Sequence, residues 1–519
     1  MLGKAHRYIY TITLILLAIS IPISVALPNV LGGVLFGNWL LEWNWKQKWE
    51  RLKQNRGAVV FLLFFFCFAY TFVGSDDPAA SFRDWLSKLP FFYLPAVIAT
   101  TELPKIRWQR FILLAFAITT SIAAALSIII MQIKGLCDIR CGGLFISHIR
   151  FSICAVLSIL FCLHFIIKNN TYTLPVQIGC LLMAIWLFAY LFAVQVSTGI
   201  ILLVVAFVII FIYYLIKSEK TAIRTVTLSV SGIVCIVLAA AFSIVTCQYY
   251  YYDESAEKNL PACTAQGTPY THLPSYLSDG QIVENGNKIG LYLCETELKE
   301  EWGKRSEVPY DSVQKTLIRY LNSIGETKDA AGVKKLDEED VKHIEEGIAN
   351  KAYLQPIGLK KMLYPSYFTF SLYHLNGTTS NSSILQRTEL WKASRQAIQH
   401  HPMKGYGMGC HKKAINNELH QQHSPLKDDM GAHSQFLTYL LMGGVPLLLA
   451  FLFVIFSPFF LCKPKIKLLY VIFWCCLFLS MFVEDTLETT TGINLFLFFN
   501  TFFLFGSEPS EIQLTICHI

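Results

Sequence analysis

Charged residues are scarce in this chain: only 15% of its 519 residues are Asp, Glu, Lys or Arg, whereas 54% are hydrophobic. One soluble core cannot bury that much apolar surface, which excludes an ordinary soluble enzyme. Ten-residue segments of alternating polarity are also lacking, which excludes an outer-membrane barrel. The remaining class is a polytopic membrane protein built from helices, because each span must satisfy its own backbone hydrogen bonds.

Twelve apolar segments predict an all-α fold with about twelve transmembrane helices. They cover residues 8–27, 29–43, 57–74, 87–101, 110–132, 150–167, 175–195, 197–216, 226–246, 435–461, 467–484 and 490–506. No small-residue cleavage site follows the first segment, and further spans come after it. We therefore expect a retained helix there and not a removable signal.

Lysine and arginine concentrate in four loops that fall on one side of the predicted membrane. These loops are "NWKQKWERLKQNR", "ELPKIRWQR", "KSEKTAIRT" and "KPKIK". Because cationic short loops stay in the cytoplasm, both chain ends should be cytoplasmic and the long polar segment should lie outside. The same loops account for the net charge of +7, so no nucleic-acid partner is expected.

The predicted organisation has three parts. Residues 1–246 hold the first nine transmembrane helices, residues 247–434 form a periplasmic loop domain, and residues 435–519 hold three more helices and a cytoplasmic tail. Helical spacing predicts that the loop is mostly helical, with helices in "DSVQKTLIRYLNSIG", "LDEEDVKHIEEGIANKAYL" and "SSILQRTELWKASRQAIQHH". We expect no dense apolar core of its own in this loop, which disfavours a detached soluble module.

Six of the fifteen cysteines lie outside the predicted helices or at their rims: Cys137, Cys141, Cys247, Cys263, Cys294 and Cys410. An oxidising compartment permits disulfides among them, but the spacing leaves the pairing open. Cys137 and Cys141 have no His or Cys partners at zinc spacing, and no metal site is expected.

Three polar clusters map to the predicted outer side of the membrane. The first is "SHIRFS" with His148 and Arg150, the second runs from Arg387 through "HHPMKGYGMGCHKK" to His433, and the third is "VEDTLETTTG" with Glu484, Asp485 and Glu488. Singly, each has a structural explanation as an interfacial cation, a surface pair or a helix connector. Together, a histidine, several cations and glycine amides suit an anionic lipid headgroup.

The second cluster resembles a known signature. "RTELWKASRQAIQHHPMKGYGMG" and "AHSQFLTYLLMGGVPLLLAFLF" resemble the O-antigen ligase and polymerase superfamily: an Arg and a Trp one turn apart, a Pro and Gly-x-Gly turn, and a His that opens a helix with a glycine pair. The closer resemblance is to bacteroidetes-type members with a long periplasmic loop. It extends to "SHIRFS", "EDTLETTTG" and "RYLNSIGETKDAAGVKKLDEEDVKHIEEGIANKAY".

This resemblance implies a GT-C-like glycosyltransferase of the bacterial inner membrane that is inverting and needs neither metal nor other cofactor. Its donor would be a glycan on a polyprenyl pyrophosphate such as undecaprenyl pyrophosphate. A ligase would transfer the glycan to lipid A core, another surface glycan or protein, whereas a polymerase would join repeat units on the carrier. A flippase for the lipid-linked glycan is the third alternative, but the spans lack the internal charges it would need.

The resemblance also implies roles for residues. His433 would act as general base, since histidine titrates near neutrality, and Arg387 would act beside it. Substrate-binding residues would be Arg150, His148, Trp391, Gly405, Gly407, Gly409 and Lys404. The family's usual arginine at the start of a middle helix is missing, since Ser197 and Thr198 stand there. Either Arg150 supplies that charge or the donor is held differently. The Asn that usually follows the His is Ser434 here.

Overall fold

A computed structural model describes residues 2–133, 145–167, 172–194, 196–217, 221–355, 358–377, 382–424, 426, 428–462 and 468–505. The α-helices in these ranges are α1 Leu2–Ser20, α2 Leu27–Leu41, α3 Trp45–Gln54, α4 Arg56–Cys67, α5 Pro78–Ser87, α6 Pro90–Thr100, α7 Ile106–Ile133, α8 His148–Ile167, α9 Leu174–Ala193, α10 Ser197–Lys217, α11 Thr221–Tyr250, α12 Glu295–Trp302, α13 Tyr310–Ser323, α14 Ala330–Lys334, α15 Glu338–Glu345, α16 Leu359–Asn376, α17 Ser383–His400, α18 His411–Gln421, α19 Gln435–Leu461, α20 Leu468–Val483 and α21 Thr490–Phe505. The two strands, β1 Val283–Glu284 and β2 Asn287–Lys288, form a small hairpin.

Every apolar segment predicted from the sequence overlaps one of these helices, which confirms the all-α class. Within the described residues, five helical stretches are long and apolar enough to cross a membrane: Arg56–Gly74, Ile106–Ile133, His148–Ile167, Leu174–Ala193 and Gln435–Leu461. The first of these joins α4 to the 3₁₀ turn that follows it. Shorter apolar helices accompany them. Twelve spans remain a prediction.

The chain divides into two compact units, the first made of Met1–Lys217 and Arg387–Ile519 and the second of Ser218–Gln386. In the first unit, α8 packs against α7, α9 and α10, while α6 packs against α4 and α21. Its core is rich in aromatic side chains, and rings from α4, α6 and α21 contact one another through Phe61, Phe91 and Phe496. This bundle positions the candidate site.

The second unit has an apolar core of its own, so the expectation that this region lacks one is wrong. Trp302, Leu317, Ile318 and Ile344 are buried together with residues of the hairpin region. Two of the three helices predicted from spacing are present here as α13 and α15, and the third is α17. Asp337 forms a capping box at the start of α15. The helix α12, which the sequence interpretation did not include, supplies the buried tryptophan that completes the core.

Cys247, Cys263, Cys294 and Cys410 are free thiols. Cys137 and Cys141 lie outside the described residues.

Candidate active site

The acidic segment at residues 484–488 joins α20 to α21 and is the centre of a polar cluster in the first unit. Glu484 is buried, and Asp485 and Glu488 are partly buried. Donors from α8, α17, the start of α19 and Lys88 reach these three carboxylates. None of them is therefore a freely solvated surface charge.

Asp485 fixes the start of α19. Its carboxylate accepts hydrogen bonds from the backbone N–H groups of His433 (3.0 Å) and Ser434 (2.9 Å) and from the Thr438 hydroxyl (2.7 Å). These N–H groups have no partners within a helix, and the Ser434 side chain does not cap them. Gly431 permits the approach, because a Cβ there would lie 2.6 Å from Asp485 Oδ2. The carboxylate thus sets the backbone position of His433.

His433 adopts a left-handed backbone conformation with φ of 47°. Non-glycine residues rarely occupy this region, although histidine is among those that do so more often. Its imidazole Nδ1 lies 3.4 Å from Glu484 Oε2, and 32% of the side chain is exposed. If Nδ1 carries the proton that Glu484 accepts, Nε2 is left as a basic nitrogen at a partly open surface.

Two arginines from separate helices share the same carboxylate. Arg150 Nη2 on α8 lies 3.3 Å from Glu484 Oε1, and Arg387 Nη2 on α17 lies 3.6 Å from Glu484 Oε2. Both arginine side chains are largely buried. The structure therefore brings together three sequence-predicted residues, His433, Arg150 and Arg387, around Glu484.

Three nitrogen donors in this cluster lack acceptors within the described part of the chain. They are Arg150 Nε, Arg387 Nε and Trp391 Nε1, and each is buried. Trp391 lies one turn beyond Arg387 on α17, and no cation–π contact joins these two described residues. Buried polar groups are normally paired, so the unpaired Nε donors of two arginines that share Glu484 indicate a place for a ligand with acceptor oxygens.

The two carboxylates nearest His433 have opposite pKa shifts. Burial acts to raise the pKa of Glu484, but the hydrogen bond and charge of His433 and the charges of Arg150 and Arg387 outweigh it, and this pKa lies below its ordinary value. Burial raises the pKa of Asp485, and the hydrogen bond from Thr438 offsets this only in part. Glu484 is thus the stable anion of the cluster.

A second polar layer supports the acidic segment. The buried Lys88 ammonium donates to Glu488 Oε2 (2.8 Å) and to the Leu487 carbonyl (2.6 Å). Gln435 donates to Glu488 Oε1 (2.9 Å) and accepts from the Leu487 N–H (2.6 Å). These contacts tie α19 and the segment before α6 to one connector, which limits the movement of Glu484.

The glycine-rich turn packs against a kink in α19. Gly443 and Gly444 have non-helical backbone angles, and Tyr406 N–H and Gly407 N–H donate to the carbonyls just before the kink. A Cβ at Gly405 would lie 2.6 Å from the Leu441 carbonyl oxygen. Cβ atoms at Gly407 and Gly409 would similarly meet Ser75 and Ala80. These three glycines therefore approach protein atoms, which accounts for them as packing positions.

The two remaining sequence-predicted site residues are His148 and Lys404. His148 is the first residue of α8, two positions before Arg150, and Lys404 is exposed in the glycine-rich turn. The start of α10, where the family arginine is missing, packs against α8. A Cβ at Gly199 would lie 2.7 Å from the Cβ of Ser152. Arg150 is therefore close to the start of α10, where the resemblance leads one to expect an arginine.

Sequence reasoning noted the acidic segment but assigned no site role to it, and it missed Lys88 and Thr438. The signal for Glu484 and Asp485 was their position at predicted helix ends on the same side as His433. Lys88 is the only charged residue in "WLSKLPFF", and only the fold shows that it reaches Glu488.

We expect Asp485→Ala to destabilise the start of α19 by about 1–2 kcal/mol, because it removes the only cap of this helix in the described residues. Hydrogen exchange followed by mass spectrometry should show faster exchange in the peptide covering residues 431–438. Asp76→Ala, at an exposed carboxylate, is the matched control. Unchanged exchange in Asp485→Ala would contradict the capping role.

Comparison with known proteins finds one matching family model. Residues 357–452 match the family model described as O-Antigen ligase. The match contains Arg387, Trp391, the glycine-rich turn and His433, whereas Arg150 and Glu484 lie outside it. No curated protein matches the chain.

Proposed function

We propose, since this chain belongs to the O-antigen ligase superfamily through residues 357–452, that it transfers a preassembled glycan from undecaprenyl pyrophosphate to lipid A core or another surface acceptor. The family indicates an O-antigen ligase or polymerase-type function in a membrane. Within that range we favour the ligase. The reaction would be inverting and independent of metal, on the periplasmic face of the inner membrane.

The single observation that carries this proposal is the convergence of His433, Arg150 and Arg387 on Glu484. One carboxylate cannot engage all the N–H groups of two guanidinium ions, and both Nε donors lack partners in the described residues. Guanidinium groups bind phosphate oxygens in planar, charge-assisted pairs. Two such groups beside a basic nitrogen suit a pyrophosphate leaving group next to an acceptor hydroxyl.

His433 would act as the general base. The acceptor oxygen attacks the anomeric carbon, the bond from that carbon to the pyrophosphate oxygen breaks, and the hydroxyl proton passes to His433 Nε2. The pyrophosphate leaves with the electron pair of the broken bond, and the configuration at the anomeric carbon inverts. Glu484 would hold the imidazole by Nδ1 and stabilise it when protonated, as a carboxylate does in a catalytic triad.

Arg150 would supply the charge that family members place at the start of a middle helix. Its position on α8, two residues from the contact between Ser152 and Gly199 of α10, supports this assignment. Arg150 and Arg387 would then hold the pyrophosphate from two sides and stabilise the charge that develops as it leaves.

The same unit supports an orientation of the site in the membrane. Helices α6 and α21 both begin beside the acidic segment and run away from it, and α6 ends near the basic residues Arg51 and Lys105. Basic loops favour the cytoplasmic side, so this arrangement supports a periplasmic position for His433.

Arg387→Ala should lower kcat for glycan transfer by about a hundredfold, because it removes a donor aimed at developing charge. The measurement is the rate of glycan transfer by the purified chain in proteoliposomes. Arg395→Ala removes an exposed arginine from the same helix and should leave the rate unchanged. Equal rates for the two variants would contradict the phosphate-binding role.

The function itself is tested by deleting the gene and measuring the length of the glycans on the carrier lipid. Loss of a ligase should leave full-length chains on the carrier. Single repeat units on the carrier would instead identify a polymerase, and units trapped on the cytoplasmic face would identify a flippase. Complementation with the wild-type gene should restore the surface polysaccharide.

A further inference from the structure

A basic groove opens in the first unit, about one helix length from the candidate active site. It has a volume of about 1540 Å³ and lies where α1, α3 and α7 meet the segment after α6. Phe505, the last residue of α21, lines it, whereas Thr490 at the other end of that helix follows the acidic segment. Sixteen helical residues span roughly 24 Å, so the groove and His433 belong to different ends of the bundle.

The groove has an excess of positive charge. Four cations line it, namely Lys4, Arg7, Arg51 and Lys105, against the single carboxylate of Glu102. Arg7 Nη2 lies 2.6 Å from Glu102 Oε2, and Arg51 Nη2 lies 2.7 Å from Glu102 Oε1. This carboxylate neutralises one charge and holds two guanidinium groups side by side. Lys4 and Lys105 form no ion pair within the described residues.

Backbone groups hold one of these cations in place and add positive charge of their own. Arg51 is fixed by a hydrogen bond of 3.1 Å from Nη1 to the Thr100 carbonyl, so its position does not depend on Glu102 alone. Ile106 begins the 28-residue helix α7 and also lines the groove. The N-terminus of a long helix carries partial positive charge and attracts anions. Guanidinium, ammonium and helix N-terminus together match a phosphate group.

Apolar side chains beside the cations distinguish the groove from a site for a free ion. Tyr8, Ile12 and Trp108 line it and are exposed. Tyrosine and tryptophan at the end of apolar helices are typical of the membrane interface, where aromatic rings lie at headgroup level. Ile12 and Ile15 continue the wall along α1, in the direction that an acyl chain would take.

We propose that this groove binds the phosphate group of an anionic phospholipid at the cytoplasmic face. Arg7 and Arg51, held together by Glu102, contact the phosphate, Lys4 and Lys105 add charge, and the apolar wall accepts the start of the acyl chains. This proposal requires that the chain lies in a membrane, and it does not depend on glycan transfer by the distant site.

The test uses the full chain in neutral detergent, titrated with phosphatidylglycerol, phosphatidylcholine or free glycerol 3-phosphate, with bound lipid counted by native mass spectrometry. Wild type should bind phosphatidylglycerol at least about tenfold more tightly than either other probe. The triple variant Lys4→Gln, Arg7→Gln, Lys105→Gln should lose that preference. The control triple variant should keep that preference, because it removes the same charge from exposed positions that do not line the groove. Its substitutions are Lys46→Gln, Lys53→Gln and Arg107→Gln.

Glu102→Gln gives a result that a misfolded variant could not imitate. It removes the carboxylate that competes with the phosphate, so affinity for phosphatidylglycerol should rise by roughly threefold. If the groove and control triple variants lost the preference for phosphatidylglycerol equally, the proposed site would be wrong. Binding of glycerol 3-phosphate as tight as that of phosphatidylglycerol would overturn the assignment to a lipid.

Discussion

Replacing His433 by alanine should reduce glycan transfer by about a hundred- to ten-thousandfold, the usual contribution of a positioned general base. Among the described side chains that contact Glu484, His433 alone carries an imidazole, whereas Arg150 and Arg387 carry guanidinium groups that stay protonated. Transfer would be measured with lipid-linked glycan and acceptor in proteoliposomes that contain the purified chain.

Backbone strain at His433 makes a second substitution necessary. Alanine tolerates the left-handed conformation poorly, whereas asparagine adopts it more readily, so His433→Asn should stay folded and still lack the base. His420→Ala removes an exposed histidine, paired with Asp428 at 3.0 Å, and should transfer glycan at the wild-type rate. A wild-type rate in His433→Asn would refute the assignment of the base.

Replacing Glu484 by alanine should destabilise the first unit by about 3 kcal/mol. The change leaves two largely buried guanidinium groups without their counter-charge, and breaking a buried ion pair by removing one partner is costly. Thermal unfolding in detergent should show a fall in the melting temperature of roughly 5 °C. Asp428→Ala removes an exposed, paired carboxylate and should leave the melting temperature unchanged.

The stabilisation by Glu484 should also depend on pH. Its pKa is lowered in the folded chain, so the folded state binds the proton less readily than the unfolded state does. The stabilisation is therefore complete above the ordinary pKa of 4.5 and is lost as the pH falls below it toward the folded value. The difference in melting temperature between wild type and Glu484→Gln should shrink from pH 7 to the acid range. A constant difference would show that charge pairing is not its cause.

Hydropathy predicted the helices of the bundle because apolar length is a local property of the chain. Two polar helices of the first unit were missed for the same reason. Trp45–Gln54 was interpreted as a basic loop, and Pro78–Ser87 begins at a cap formed by Asp77 inside a polar connection. The hairpin of the second unit turns at Asn285 and Gly286, both with positive φ, which is an Asn-Gly hairpin signal that the sequence interpretation did not use.

The candidate site was predictable in part. His433 and Arg387 lie within one recognisable motif, so sequence reasoning found them together. Glu484 is 51 residues from His433 and 334 residues from Arg150, and only packing of the helices makes it their common partner. For the glycines, a motif suggested ligand contact, and the fold offers a packing explanation for the same positions, because Gly405 closely approaches the carbonyl of Leu441.

The most direct test of the account is a double-mutant cycle on glycan transfer by the purified full chain. Rates would be measured for wild type, His433→Asn, Glu484→Gln and the double variant. If Glu484 acts through His433 and the arginines as one unit, the double variant should be about as slow as His433→Asn alone. If the fold-reductions in transfer rate of the two single variants instead multiply in the double variant, a shared site centred on Glu484 would be contradicted.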